Sequence, residues 1–479
     1  MTQSQAPKTA DNIVVRYFKE FGVLKETRVE YWGLQTVNFL DSMFYFAMIT
    51  VASMFLSKDL GFNDKDAGYT ITLFTSATTL MLLFSGAATD WLGIRKSITL
   101  CMSALLVLRL GMVFVGLNAW LPNRGIIATV LLVMTAPFQA GIQTSFQAAT
   151  ARFTTRRSRS AGFNLWYLFS NLGGVAAGLS VDTLRVWLKI PNANTHVFTM
   201  GVVTTTLCLV ATTAFIRREE QLVSPDDPPE EAKSQKTVER KSPLTAMKEM
   251  FAHSALWRLI VLITLVLGVR AVFLYFYLIM PKYWERTIGT DANIGLLTAI
   301  NPIGVVAGLI LLIPIISRYP VFKMLIYGGM ITSIALLPMA IPWNLYPWSI
   351  ETNHYTMAIL AMILVTIGEV IWSPRLNEYT AAIAPKGQEG AYMGFSMIPW
   401  FAAKTGVSLL SGHLLARWSP ETVKIAGADV PLKEAMVAGQ LDYWHRPEAM
   451  WLFLGLYAVA GCLVAWMLRN WFESATHRK

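Results

Sequence analysis

Apolar residues recur along the chain in runs of about 20, each long enough as a helix to cross about 30 Å of hydrocarbon. Short polar connections separate them. Twelve such runs are legible, roughly 31–56, 68–89, 97–117, 125–151, 161–181, 196–216, 257–281, 292–317, 321–342, 355–382, 389–414 and 447–470. A transmembrane barrel would instead alternate apolar and polar residues over short segments. The pattern predicts an all-α membrane protein with 12 transmembrane helices.

Two breaks stand out. Between the sixth and seventh runs lies REEQLVSPDDPPEEAKSQKTVERKSP, charged and proline-bearing, with nothing from which to build a core. It reads as a tether over 217–256, dividing the chain into six-helix halves at 31–216 and 257–470, with a short tail at 471–479. The gap at 415–446 is longer and more polar than its neighbours. Before the first run, residues 1–30 hold no continuous apolar core and so no cleavable signal peptide. Within them Val14, Phe18, Phe21 and Leu24 share one helical face while Arg16 and Lys19 lie off it, which suggests an amphipathic helix on the membrane surface or against the bundle.

Composition agrees. The 479 residues are 54% hydrophobic and only 15% charged, against about 25% charged in soluble domains. The net charge of +10 would suit nucleic acid, but its distribution suits topology. With the N-terminus in the cytoplasm, about 25 Lys and Arg fall on the cytoplasmic side and about 11 on the other, as the positive-inside rule requires. Both termini are therefore expected inside, in a multi-pass protein of the plasma or inner membrane. The three cysteines, Cys101, Cys208 and Cys462, sit in apolar runs and read as buried small residues. No metal or redox cluster is evident, no cofactor is implied, and neither a Walker loop, HExxH nor GxSxG occurs in a fitting context. Without an ATP-hydrolysing domain, an enzyme or a pump is not expected.

The loop after the second run reads GAATDWLGIRKS. Gly86, Asp90, Gly93 and Arg95 fit the GxxxDxxGxRx pattern of the major facilitator superfamily, at the place that pattern requires. Its physical sense is plain. Gly86 lets helices approach, Gly93 permits a tight turn, and Asp90 and Arg95 offer a charge network that closes one side in one state. The chain thus resembles that superfamily, which implies two pseudo-symmetric six-helix bundles. Finer stretches resemble the proton-coupled oligopeptide transporters: FNLWYLFSNLGG with Tyr167 and Asn171, AINPIG with Asn301, and GEVIWSPRLNEYTAAIAP with Glu369. The resemblance assigns Glu369 to the amino end of a peptide. The chain departs from that branch at two cations. Asn38, Asp41 and Ser42 occupy the stretch of its ExxER motif, and Gln143 or Thr144 stands at its helix-4 lysine. The pair of extra helices found between the halves of many bacterial members is also lacking.

The resemblance further implies that helices 1, 4, 7 and 10 line a central cavity, and polar stripes fall on those helices. Gln35, Asn38, Asp41 and Tyr45 share one face of helix 1, and Gln139, Gln143 and Gln147 one face of helix 4. Arg270, Phe273 and Tyr277 share a side of helix 7; Glu369, Trp372 and Ser373 share a side of helix 10. A mid-membrane carboxylate costs about 2.5 kcal/mol or more. Glu369 is tolerable if it faces water with a cation opposite, Arg270 first and Lys404 second. Asp41 is the other candidate proton carrier, since loss of hydration favours the neutral carboxyl. Arg109, off the expected cavity, reads as structural. Arg375 and Glu378 suggest gating or snorkelling, and His413 the outer mouth.

These features predict a monomeric secondary transporter taking a small polar or zwitterionic solute, peptide or amino-acid-like, by proton-coupled symport. Alternatives are export of amphipathic compounds or lipids, and a receptor or scaffold that does not transport. Its partners are then substrate, protons and lipid, with no nucleic acid.

Overall fold

Asn63 shows how a polar connection becomes a helix. Its backbone is extended, its side chain accepts from the Asp66 N–H, and Asp64 and Asp66 follow in the first turn. Acceptors and negative charge at that end satisfy the free amides and complement the helix dipole. The helix so begun, α2 (Asp64–Leu92), runs 29 residues and ends at Gly93. Gly93 has φ +82, a conformation open to glycine without steric cost, and the chain reverses there into α3.

The computed structural model describes residues 22, 27–154, 158–216, 254–311, 319–383 and 389–473. Most of the predicted surface helix at 11–26 and most of the tether at 217–256 lie outside the described residues. Within them the chain forms α1 (Val29–Met54), α2, α3 (Ile94–Leu117), α4 (Arg124–Met134 and Ala136–Phe153), α5 (Arg159–Asp182) and α6 (Ala193–Phe215). There follow α7 (Ser254–Leu265, Leu267–Leu278 and Met280–Thr287), α8 (Ile294–Leu311), α9 (Val321–Ile334), α10 (Ile350–Ile383), α11 (Glu389–Trp418) and α12 (Pro447–Met467). Each matches one apolar run of the sequence. Among the described residues, seven spans are long and apolar enough to cross a membrane by length and composition. Leu80, Phe114, Val130, Val210, Ile363 and Leu456 are exposed on bundle exteriors, as lipid contact demands.

α1 packs on α5 and α6, and α3 on α6, in the first half; α10 packs on α8 and α9, and α7 on α11 and α12, in the second. The halves meet along α2–α11 and α5–α8. Glycine makes both seams close: a Cβ at Gly68 would lie 3.1 Å from the Gly412 nitrogen, and one at Gly178 would strike the Gly295 carbonyl.

The apolar pattern does not describe the polar gap at 415–446. It holds a β-hairpin, β1 (Thr422–Ile425) against β2 (Ala428–Pro431), followed by a short helix Leu432–Val437. Ala426 and Gly427, both at positive φ, form its two-residue turn. Leu432 and Met436 pack on Ile350. Lys433 ties the unit down by donating to the Ile288 carbonyl at 2.8 Å and pairing with Glu351 at 2.6 Å.

On this same face the halves are bound by charge. Asp64 receives Lys282 at 2.7 Å and Arg286 at 2.9 Å, while Glu285 receives Lys58 at 2.6 Å and Arg185 at 3.3 Å. Burial alone would raise the Asp64 carboxyl, but the hydrogen bonds and charges of Arg286 and Lys282 hold it below the usual carboxylate range. We call this the sealed face; the Gly93 turn lies on the opposite one.

Candidate substrate and proton site

Glu369 sits midway along α10, half-buried, one residue after Gly368. Its hydrogen-bond partner comes from α8: Asn301 Nδ2 donates to Glu369 Oε2 at 2.8 Å and to Thr366 Oγ1 at 3.2 Å. Local sequence makes that approach feasible. A Cβ at Gly304 would come within 2.6 Å of Thr366 Cγ2, and one at Gly308 within 2.7 Å of Val370 Cγ2, so only glycine lets α8 lie this near α10. Pro302, inside α8, has no N–H and leaves a carbonyl one turn back without its helical donor.

Arg270 lies on the middle segment of α7 with its guanidinium carbon 4.9 Å from the Trp372 ring centroid. It shares an electrostatic field with Glu369 and Tyr167. Tyr167 belongs to α5, so the cluster spans both halves. Tyr277 is buried, within the fields of Glu369, Tyr167 and Tyr45, and its ring centroid lies 5.8 Å from Phe46 and 5.3 Å from Phe273. Lys404 of α11 is 8% exposed and donates to the Tyr45 hydroxyl at 3.0 Å. Among the described residues its contacts are this hydroxyl and the Tyr45 ring, with no carboxylate partner. A buried ammonium whose one protein acceptor is a neutral phenol is under-compensated. The site thus offers a carboxylate on α10, a cation on α11 and aromatic rings from α1, α5 and α7 between them.

The helix-1 stripe divides. Tyr45 reaches across to the other half, but Gln35, Asn38 and Asp41 are buried within the first. Asn38 donates to the Trp166 carbonyl at 2.9 Å, and Gln35 has no hydrogen-bond partner among the described residues. Asp41 meets Arg109 of α3 at 3.4 Å and Gln139 of α4 at 3.3 Å. The sequence reading gave Asp41 no cation; Arg109 is that cation. It also donates to Thr205 and stacks 3.9 Å from the Phe44 centroid. Gln143 and Gln147 are exposed. They lie roughly half a turn from exposed Met134 and Val130, at about 100° per residue, so α4 presents a polar open face separate from its apolar one.

Asn171 is buried and its amide returns to the Tyr167 carbonyl at 2.8 Å, which fixes Tyr167 rather than a ligand. Trp372 is buried with its indole N–H unmatched among the described residues. Arg375 is buried rather than extended to the surface. His413 meets Tyr69 at 3.3 Å toward the sealed end of the α2–α11 seam. Of the turn motif, Arg95 donates to the Thr213 carbonyl at 3.5 Å; the surroundings of Gly86 and the side chain of Asp90 are not among those described. No cluster of metal-ligating side chains occurs among the described residues.

Comparison with known proteins places this geometry. Residues 35–405 match the family model "Major Facilitator Superfamily". Among solved structures, the chain is similar to a variant of peptide transporter POT in complex with sulfate, at 15% identity and TM-score 0.67, covering 93% of this chain and 95% of that one. It is also similar to a variant of nucleoside transporter NupG, at 12% identity and TM-score 0.68, covering 92% and 99%. A D-xylose-proton symporter follows at 13% identity and TM-score 0.65, covering 90% and 96%. A comparison with curated protein sequences gives no match. At these identities the structural likenesses speak for the fold, and the family match for descent: the chain is an integral, multi-pass membrane protein and belongs to the Major Facilitator Superfamily.

Proposed function

We propose that the protein is a proton-coupled symporter for a small zwitterionic solute, peptide or amino-acid-like, working by alternating access of its two halves. The observation that carries this reading is Lys404, a buried cation with no carboxylate partner among the described residues, set across an aromatic cluster from Glu369. A solute with a carboxylate at one end and an ammonium at the other satisfies both. Arg270 supplies a second positive charge near Glu369. When Glu369 takes a proton, its hold on Arg270 and Asn301 loosens and the substrate's anionic end competes for the freed cation. Asp41, linked through Gln139 to the glutamine face of α4, is the second proton carrier. Asp90 and Arg95 close the opposite face during the cycle, with Gly86 and Gly93 allowing the approach.

In this reading the protein is a monomer of the plasma or inner membrane with both termini cytoplasmic. Its halves, 31–216 and 257–470, are joined by a tether at 217–256. The sealed face is then external, and the structure corresponds to a state closed to the outside. A peptide transporter, a nucleoside transporter and a sugar-proton symporter share the fold, so the fold leaves the solute open and the charges argue for a zwitterion.

One feature favours a second reading. An apolar groove between α8 and α10, lined by Ile300, Gly304, Ile363, Thr366, Ile367 and Val370, lies on the bilayer side beside exposed Ile303. It suits an exporter of amphipathic compounds. Thermal-shift screening of the purified protein separates the two, because a ligand bound only by the folded state raises its melting point. Dipeptides and amino acids raising it supports symport of zwitterions. Stabilisation by amphipathic cations alone overturns it.

A further inference from the structure

Asp182 ends α5 and is fully buried. Its two carboxylate oxygens accept from the backbone N–H groups of Gly295 and Leu296, each at 2.7 Å. Those amides open α8, in the other half. A second carboxylate on this face provides the contrast. Asp59 caps α6 through the Thr195 N–H at 2.9 Å and Asn194 at 2.9 Å, but within its own half. A cap inside one rigid half persists through a rocking motion. A cap between halves must break whenever this face opens.

The helix it holds carries the central site. Ile294 to Asn301 form the two turns of α8 between the Asp182 cap and Pro302, where the helical hydrogen-bond ladder is interrupted. Asn301, the last residue of that segment, donates to Glu369. We propose that Asp182 is a positioning residue of the transport cycle: by capping α8 from the opposite half it holds the segment ending at Asn301 in place, so that opening of the sealed face and loss of the Asn301–Glu369 hydrogen bond are one coupled event. This rests on the alternating-access reading given above. The groups around the cap are consistent with a latch. Arg185, on the π-helical turn after α5, lies in the field of Asp182 and binds Glu285 of α7, which also receives Lys58 from the π-helical turn after α1. Lys189 and Asp291 pair at 3.3 Å on the loops beside it. Negative charge on Asp182 favours the capped state because helix N-termini attract anions.

The test needs no substrate. Ala299 is buried in the α5–α8 seam, beside Gly178. In the full chain purified in detergent, with the three buried cysteines replaced, an Ala299→Cys reporter is labelled with a charged maleimide. Asp182→Ala is expected to raise the labelling rate at least tenfold, and Asp182→Asn, which keeps one acceptor, by less. Coupling is read from a double-mutant cycle: Glu369→Gln alters the rate when Asp182 is present and leaves it unchanged in the Asp182→Ala background. Should Asp182→Ala fail to fold, the cycle is run with Asp182→Asn. Unchanged labelling in the Asp182 variants, or effects of the two sites that simply multiply, overturns the proposal. Changed labelling with the predicted coupling, in a protein whose flux ignores a pH gradient, supports the latch while refuting symport.

Discussion

Lys404 Nζ donates a 3.0 Å hydrogen bond to the hydroxyl of Tyr45, joining α11 of one half to α1 of the other at the centre of the molecule. The partner is neutral, and in the proposed reading the charge awaits the carboxylate of the solute. Lys404→Met is expected to weaken binding of a zwitterion roughly tenfold to a hundredfold, the loss of one charge-assisted hydrogen bond of about 1.5–3 kcal/mol. Lys404→Arg retains part of it. Titration calorimetry with whichever zwitterion stabilises the protein checks this; equal affinity in Lys404→Met contradicts it.

Asp41 and Arg109 are both buried. Removing either alone strands a charge, and each of Asp41→Asn and Arg109→Gln is expected to cost roughly 3–5 kcal/mol. The double variant, which leaves neither charge, recovers most of that. Comparison of the three melting transitions measures it, and additive losses contradict the pairing.

How much of this was readable beforehand depends on distance along the chain. Helices are local, so apolar runs locate the long helices among the described residues, and the Gly93 reversal follows from the GxxxDxxGxRx pattern, in which Gly93 permits a tight turn. Tertiary pairings were not local. Asp41 and Arg109 lie on α1 and α3, and nothing at either position names the other; an unpaired acid and an unpaired base in one half were the available signal. Asn301 was singled out by its Asn-Pro context, but that it bonds to Glu369 depends on Gly304 and Gly308 bringing α8 against α10. The hairpin at Thr422–Pro431 gives little signal because its strands are only four residues each and largely exposed, although Ala426-Gly427 between β-favouring residues is a usable turn signal. Asp182 lies just past the fifth apolar run, and its partners Gly295 and Leu296 are more than a hundred residues away in sequence, so nothing local marks it.

The ion cluster at Asp64 is expected to be insensitive to mild acid. Its carboxyl is held below the usual range, so the folded state binds the proton less tightly than the unfolded chain. The stabilisation is then fully present above the unfolded value of about 3.9 and is lost only as pH falls through the lower folded value. The melting-point difference between the native protein and Asp64→Asn should therefore stay constant from about pH 7 to about pH 5 and shrink below about pH 4. A difference that vanishes near pH 6 contradicts this and would make the cluster itself a proton switch.

The α2–α11 seam gives an independent handle on the sealed face. A side chain at Gly412 would run into the backbone of Asp64 and Lys65. Gly412→Val is expected to spread the seam and raise hydrogen exchange of the amides around 64–70 at least tenfold, with little change within α9 and α12. Unaltered exchange there shows that the seam tolerates the side chain.

The central claim is that Glu369 couples a proton to solute movement. Uptake into vesicles under an imposed pH gradient, with the zwitterion identified by thermal shift, tests it most directly. Flux that rises with an inward proton gradient in the native protein, and becomes gradient-independent in Glu369→Gln while exchange of solute persists, is the predicted result. Flux indifferent to the gradient in the native protein, or an unchanged response in Glu369→Gln, contradicts it.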